Sequence, residues 1–563
     1  MNTTIKAIAL AAVIALVAVT LVSEDSSAVE FTSGGFQYET VGSSTTNVTV
    51  VGWEGDSSEI TISDTVNYNN RTYTIISISA EAFKDKANLT TVDMSRATHI
   101  ESIGANAFSG SGVTTVTFPS SLETIGAGAF AGSKLSTINL PDALVTIGAN
   151  AFEGTAITSV SMGSHVTSLG DSAFSGCTSL EEVTISPGVR NLGESVFSGC
   201  TSLKTVTWAP TGTNNHTIGD SVFSGCSVLE SFVIPDRTTS IGDSAFSGCT
   251  VLRDIAIPDT VRTIGANAFS ASGVRTVELP DSVTSLGDSA FSDCRSLTEV
   301  TLSTGIDDIP AGAFSGCTSL SKVNFAEDGL ETVGTGAFQS TGLTAISFPE
   351  GVTSIGDSAL ADCPSLASVT LPASLRTLGD RVMESCPSLT TINVAEGSTA
   401  FSSVDGVLFG NGGNALLKYP AASTATSYEV PEGVTSISAA AFDHSLNLTM
   451  VDIPASVTAI GEGVFAGCSG IREILIASTE LTVADGAFDL SDGGEPVSVE
   501  IFTDLEPFAE SAFGDGVTVT YDEYKNYGIR STNELLGDAL IWVVVAIVLG
   551  IIFLAISVRK IKA

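Results

Sequence analysis

Phenylalanine recurs in this chain at a nearly fixed interval, and that recurrence restricts the fold more than any other feature. The series runs Phe83, Phe108, Phe130, Phe152, Phe174, Phe197, Phe223, Phe246, Phe269, Phe291, Phe314 and Phe338. Leu360 and Met383 take the same place in the next two units, and Phe442, Phe465 and Phe488 resume it. Steps of 22 to 26 residues separate nearly all of these anchors, and a weaker unit is expected to end at Phe513. The chain holds 27 Phe against 8 Tyr and 3 Trp, as expected when one position is reused many times. A fixed period of this length marks a stack of repeats rather than a set of separate globular domains.

The unit reads roughly L-x-x-V-x-I-P-x-x-V-x-x-I-G-x-x-A-F-x-x-C. Its L-x-x-V-x-I part alternates apolar and polar residues, which predicts a short strand. The Pro that follows, as at Pro119, Pro141, Pro235, Pro258, Pro280, Pro349 and Pro372, has no N–H to give a ladder and ends it. V-x-x-I-G predicts a second short extended piece closed by a Gly turn. Asp-Ser-Ala-Phe predicts one turn of helix, with Asp171, Asp220, Asp243, Asp288 or Asp357 placed to cap its N–H groups. The few side chains one unit buries cannot offset the entropy of ordering it, so a lone unit does not fold. Stacked units hydrogen-bond to one another and cover each other's apolar faces. The expectation is a β-rich solenoid of short parallel strands plus helical or 3-10 turns per unit, with the Phe rings as its interior spine.

The unit resembles the leucine-rich repeat of BspA-like surface proteins over about residues 76–490. Residues 396–437, "EGSTAFSSVDGVLFGNGGNALLKYPAASTATSYEVPEGVTSI", are similar to a variant unit of that family, in which a G-V-L-F hairpin precedes "YP" and "PEGVTSI". Residues 29–75, with "GGFQYET", "NVTVVGW" and "YTIISIS", resemble the family's β-rich N-terminal cap. Such a cap is physically needed, because an open first rung exposes apolar interior and strand edge together. The expected organisation is a cap over 29–75, leucine-rich repeats over 76–395, an irregular repeat with a hairpin insertion over 396–437, repeats over 438–490 and a C-terminal cap over 491–528. The resemblance implies a surface protein that recognises or adheres to other molecules, and it names no ligand.

Both ends carry membrane signals. Residues 1–28 read as a signal peptide: Lys6, an apolar run from Ala7 to Val22, then small residues Ser26, Ser27 and Ala28. An uncleaved N-terminal anchor is the other reading of the same run. Residues 539–558 are apolar and uncharged, long enough at ~1.5 Å per residue to cross one hydrocarbon core. A linker over 529–538 precedes this single C-terminal transmembrane helix. The basic tail over 559–563, with Arg559, Lys560 and Lys562, places it on the cytoplasmic side. No LPxTG-type sorting signal precedes the helix. The expected location is the cell membrane, single-pass, with the repeat region extracellular.

The formal net charge of −39 disfavours nucleic acid and anionic membrane surfaces as partners, since both need a basic footprint. No cofactor is implied. Catalysis finds no support: the four His, His99, His165, His216 and His444, share no register, and none belongs to H-E-x-x-H. No G-x-S-x-G or Gly-rich phosphate loop stands in the right setting.

Three residue sets need weighing. All nine cysteines, Cys177, Cys200, Cys226, Cys249, Cys294, Cys317, Cys363, Cys386 and Cys468, lie three residues after an anchor. Ser111, Ser133, Thr155, Ser272 or Ser445 take that place elsewhere, which suits buried small groups; rung-to-rung disulfides are the alternative. Paired Cys-x-x-Cys spacing is absent, so no zinc site is expected. The Asp column invites Ca²⁺, yet Ala105, Ala127, Ala149, Ala266, Ala311 and Thr335 interrupt it, which favours capping. Asn47, Asn70, Asn88, Asn215 and Asn447 stand in N-x-S/T sequons and are possible glycosylation sites. The insertion at residues 211–216, "TGTNNH", must loop out of the stack.

The expected function is non-enzymatic cell-surface binding or adhesion through extracellular protein or glycan ligands. A self-associating structural component of the cell envelope is the alternative, and a repeat-mounted hydrolase stands behind both.

Overall fold

A computed structural model describes residues 28–42, 44–326, 329–490, 497–505, 507–513 and 517–523. The expected signal peptide over 1–28, apart from its last residue, the expected linker over 529–538, the apolar run over 539–558 and the basic tail lie outside them. Among the described residues no helix is long and apolar enough to cross a membrane. The described residues fall into two compact units divided between Thr213 and Asn214, within the 211–216 insertion.

The first unit opens on an antiparallel meander, Glu30–Ser33 with Phe36–Thr40 and the latter with Asn47–Trp53. Asn47–Trp53 then turns the pairing parallel by joining Arg71–Ile78. From Arg71–Ile78 a parallel ladder steps through Ser102–Ile103, Thr124–Ile125, Thr146–Ile147 and Ser168–Leu169, one rung each. A second ladder uses the L-x-x-V-x-I pieces. It includes Glu59–Thr61, Thr91–Asp93 and Thr115–Thr117, and further on Ser159–Ser161, Glu182–Ile185 and Thr205–Trp208. Each rung therefore contributes two short strands, and both ladders are parallel because every repeat travels the same way.

The second unit repeats this plan. The V-x-x-I-G pieces pair through Thr238–Ile241, Thr263–Ile264 and Ser285–Leu286, then through Asp308–Ile309, Thr332–Val333, Ser354–Ile355 and Thr377–Leu378. After Thr391–Val394 the regular stack is interrupted by an antiparallel excursion, Phe401–Val404, Val407–Gly410 and Ala415–Lys418. Ala415–Lys418 rejoins the stack, parallel to Ser436–Ile437. Glu473–Ile476, Val497–Thr503 and Val517–Asp522 continue the other ladder to the last described residues.

The phenylalanine rings fill the inside of both units. In the first, Phe83, Phe108, Phe130, Phe152, Phe174 and Phe197 are fully buried, and successive rings stack at 4.8, 5.0, 5.5, 5.1 and 5.8 Å between centroids. Phe36 of the opening meander meets Phe83 edge-on at 6.3 Å and closes the start of the column. In the second, Phe223, Phe246, Phe269, Phe291, Phe314 and Phe338 stack at 5.3, 5.2, 5.1, 5.7 and 5.5 Å. Phe442, Phe465 and Phe488 stack again at 5.2 and 5.8 Å. Near-parallel rings at this spacing add to the area each one removes from water.

The expected turn of helix is not there. Among the described residues the only helical segments are 3-10 turns at Asn411–Gly413 and Glu510–Ala512, both outside the Asp-Ser-Ala-Phe motif. The motif's second residue is left-handed instead, with φ of 55° at Asn106, 56° at Asn150, 55° at Ser172 and 54° at Asn267. A left-handed residue in mid-turn breaks an α-helix. Glycine two residues after the anchor, such as Gly176 at φ 68°, does so again. The turn is held by its neighbour: Phe108 N–H donates to Ala129 O at 2.7 Å, Phe130 to Ala151 O and Phe152 to Ala173 O at 2.8 Å. The motif's second residue and its anchor thus give their N–H groups to the next rung, while the Ala between them bonds its own rung, as Ala173 N–H does Gly170 O.

Candidate functional site

Four of the five Asp residues, all but Asp288, are seen to cap, but across rungs. Asp171 Oδ1 accepts from Glu194 N–H at 2.8 Å, Asp220 from Asp243 N–H at 2.8 Å, Asp243 from Ala266 N–H at 2.7 Å and Asp357 from Asp380 N–H at 2.8 Å. Each carboxylate therefore satisfies the motif's first N–H one repeat on. Among the described residues no three of His, Cys, Asp and Glu converge on a point a metal ion could occupy.

The cysteines are all buried and none is in a disulfide. Their S–H groups reach back one rung to the carbonyl of the previous anchor: Cys177 to Phe152 O at 3.1 Å, Cys294 to Phe269 O at 3.0 Å, Cys317 to Phe291 O at 3.0 Å and Cys468 to Phe442 O at 2.9 Å. Thr155 and Thr341 bond the carbonyl of their own rung's anchor, at 2.8 and 2.9 Å. The register takes a small buried group whether or not it is bonded, since the hydroxyls of Ser111, Ser133 and Ser445 sit there without a partner. Burial pushes the Cys249 and Cys468 thiols up to about 12, which holds them protonated and unreactive.

The outward residues of the L-x-x-V-x-I strands form rows of short polar side chains. In the first unit these are Thr115 and Thr117, Ser159 and Ser161, Glu182 and Thr184, Thr205 and Thr207, all exposed. In the second unit Thr276 and Glu278 open a row that continues through Glu299 and Thr301 to Lys322 and Asn324. There Lys322 Nζ lies 2.7 Å from Glu299 Oε1, and Asn324 Nδ2 donates to the same oxygen at 2.7 Å. At the corners many hydroxyls serve the stack itself. Thr250 Oγ1 donates to Ser227 O at 2.9 Å, Thr298 to Arg275 O at 3.1 Å and Thr449 to Thr426 O at 2.9 Å. Tyr521 is the one exposed aromatic among the described residues, and Val233 the most exposed large aliphatic.

The sequon residues Asn70, Asn88, Asn215 and Asn447 are exposed and Asn47 is half-buried. Asn447 Nδ2 donates to Ser423 O at 2.9 Å, so its amide already has a partner. His99 pairs with Asp64 at 2.7 Å on the surface, His165 is exposed, His216 is buried and His444 is half-buried.

One feature escaped the repeat pattern. Tyr419 acts as the anchor of the irregular rung, since its N–H donates to Ala441 O at 2.7 Å and its ring lies 5.2 Å from Phe442. The rung then leaves through Pro420, and Ala422 N–H bonds Leu389 O, so the usual turn is missing. In the space this leaves, Lys418 and Asp443 form a buried ion pair, their side chains only 5% and 1% exposed. Lys418 Nζ also donates to Ala440 O at 2.9 Å, and Asp443 Oδ2 accepts from Ser385 N–H at 2.5 Å. A recess of about 70 Å³ beside them is lined by Asp380, Arg381, Glu384, Lys418 and Ala440 among others. Lysine in the apolar run "ALLKYP" was the signal available in sequence, because a buried ammonium demands a partner.

Two ladders of short parallel strands around a stacked apolar spine define a leucine-rich-repeat β-solenoid. The chain belongs to the BspA type leucine rich repeat region family, whose profile matches residues 101–215, 216–341, 294–405 and 421–518, more than half of the chain. It is similar to a leucine-rich repeat protein from Bacteroides ovatus of known crystal structure, with 27% identity and a TM-score of 0.53 over 64% of this chain and 94% of that one. It is also similar to a leucine rich cell surface protein from Faecalibacterium prausnitzii, with 23% identity and a TM-score of 0.34 over 83% of this chain and 97% of that one. No curated protein matches it. Leucine-rich-repeat solenoids are generally binding scaffolds rather than enzymes, because stacking rungs builds extended surfaces and not closed pockets.

Proposed function

We propose that this chain is a non-enzymatic cell-surface adhesion protein, tethered by residues 539–558, whose repeat face binds an extracellular protein. The observation that carries this reading is the row of outward Thr, Ser and Glu side chains repeated rung after rung, as at Thr115, Thr117, Ser159 and Ser161. Short polar groups at a fixed spacing give many weak contacts, and neighbouring copies on one cell multiply them into avidity. A protein ligand is favoured over a glycan because sugar rings are commonly held on exposed aromatic faces, and Tyr521 alone offers one among the described residues. Catalysis would need converging acid, base or nucleophile groups; the four His are scattered in the chain, and the nine thiols are buried.

Cells displaying the full chain should adhere to immobilised extracellular-matrix or partner-cell protein. Cells displaying a chain that lacks residues 76–490 but keeps both ends should fall to background. Equal adherence of the two would refute the reading, as would loss of adherence on deglycosylating the target while its protein is left intact.

A further inference from the structure

We propose that Lys418 and Asp443 become joined by an amide bond formed within the folded chain, a covalent staple between the irregular rung and the next. The two groups are in direct contact, shielded from water, and 25 residues apart in sequence. Their surroundings are arranged for condensation rather than only for attraction. Asp443 Oδ2 is held by Ser385 N–H at 2.5 Å, with His444 Nδ1 at 3.4 Å from the same oxygen. Lys418 Nζ is aimed by its bond to Ala440 O.

The step balances without any co-reactant. The ammonium passes a proton to Oδ1 of the carboxylate, leaving a neutral amine beside a neutral acid, the state that a dry interior favours over an ion pair. The Nζ lone pair attacks Cγ, and charge develops on Oδ2, where the Ser385 N–H already points. A second proton follows from nitrogen to Oδ1, the Cγ–Oδ1 bond breaks and water leaves. Nitrogen keeps the third proton as the amide N–H, and Oδ2 becomes the amide oxygen. The recess beside Lys418 gives the water a way out. Burial lowers the Lys418 amine to about 8, which makes the neutral nucleophile accessible. Fixed contact supplies the rest, since well-oriented neighbours react as though at an effective concentration on the order of 10⁵ M or more.

A staple here has a structural reason. The column of cross-rung turns lacks one member between residues 381–385 and 440–444, so this junction has fewer backbone bonds than its neighbours. The bond concerns the scaffold, and its presence or absence leaves the adhesion reading where it stands.

Lys418 is the only Lys or Arg between Arg381 and Arg472, which makes the test direct. The full chain, made in a host that does not glycosylate and held folded overnight, is denatured and digested with trypsin. A joined chain resists cleavage at Lys418 and releases residues 382–472 as one species lighter than its sequence by one water. The Asp443→Asn chain, which condenses with loss of ammonia, should yield the same species at the same mass. Lys418→Arg should yield residues 382–418 and 419–472 without mass loss. Recovery of those two peptides, unmodified, from the wild-type chain would overturn the proposal.

Discussion

Replacing Phe291 by alanine is expected to lower the stability of the second unit by about 3–5 kcal/mol, read from urea unfolding of the purified protein. The ring is fully buried and stacks on Phe269 at 5.1 Å and on Phe314 at 5.7 Å. Its removal leaves a void that the neighbours cannot close. Phe269 N–H is bonded to Ala290 O at 2.8 Å and Phe291 N–H to Ala313 O at 2.9 Å, so the rungs on either side are held at their spacing. Because rungs are stabilised through their neighbours, the loss should spread along the unit instead of remaining local. Phe291→Leu should cost far less, about 1.5 kcal/mol or under, since Leu360 already occupies the same register fully buried. Equal costs for Ala and Leu would mean that the spine is not filled by volume.

Asp443→Ala is the second large effect, about 3–5 kcal/mol, because it strands the Lys418 ammonium in an apolar interior and deprives Ser385 N–H of its acceptor. The exposed pair Lys322–Glu299 makes the contrast. At 61% and 41% exposure its charges stay hydrated, and Lys322→Ala should cost under about 1 kcal/mol despite a 2.7 Å contact. The same chemistry is thus decisive in one place and nearly neutral in another, with burial as the difference. The Asp443 expectation holds for an ion pair and for an amide alike. A cost below that of Lys322→Ala would show that water reaches the pair.

The repeat period, both strand segments of each unit and the Phe register were legible in the sequence, because each depends on side-chain alternation and hydrophobic burial. What sequence reasoning missed depends on the neighbouring rung. Asp-Ser-Ala-Phe looks helical on local propensity, yet its second position carries Asn106, Gly128, Asn150, Ser172 or Gly312, residues that tolerate positive φ. That pattern was the available signal for a left-handed turn. The Asp cap was expected within its own turn and instead serves an N–H one repeat later, a distance no local motif encodes. Tyr419 was passed over as an anchor because the irregular unit breaks the period. Lys418 and Asp443, 25 residues apart, meet where the irregular rung departs after Tyr419.

Hydrogen exchange of the purified chain, followed residue by residue, tests the central claim most directly. If the phenylalanines line the inside of stacked rungs, the N–H groups of Phe108, Phe130, Phe269 and Phe291, each bonded to the next rung, exchange only on unfolding of their unit. The exposed amides of Gly212, Asn214 and Asn215 in the insertion exchange at once. Spine amides that exchange as fast as that insertion would contradict the account.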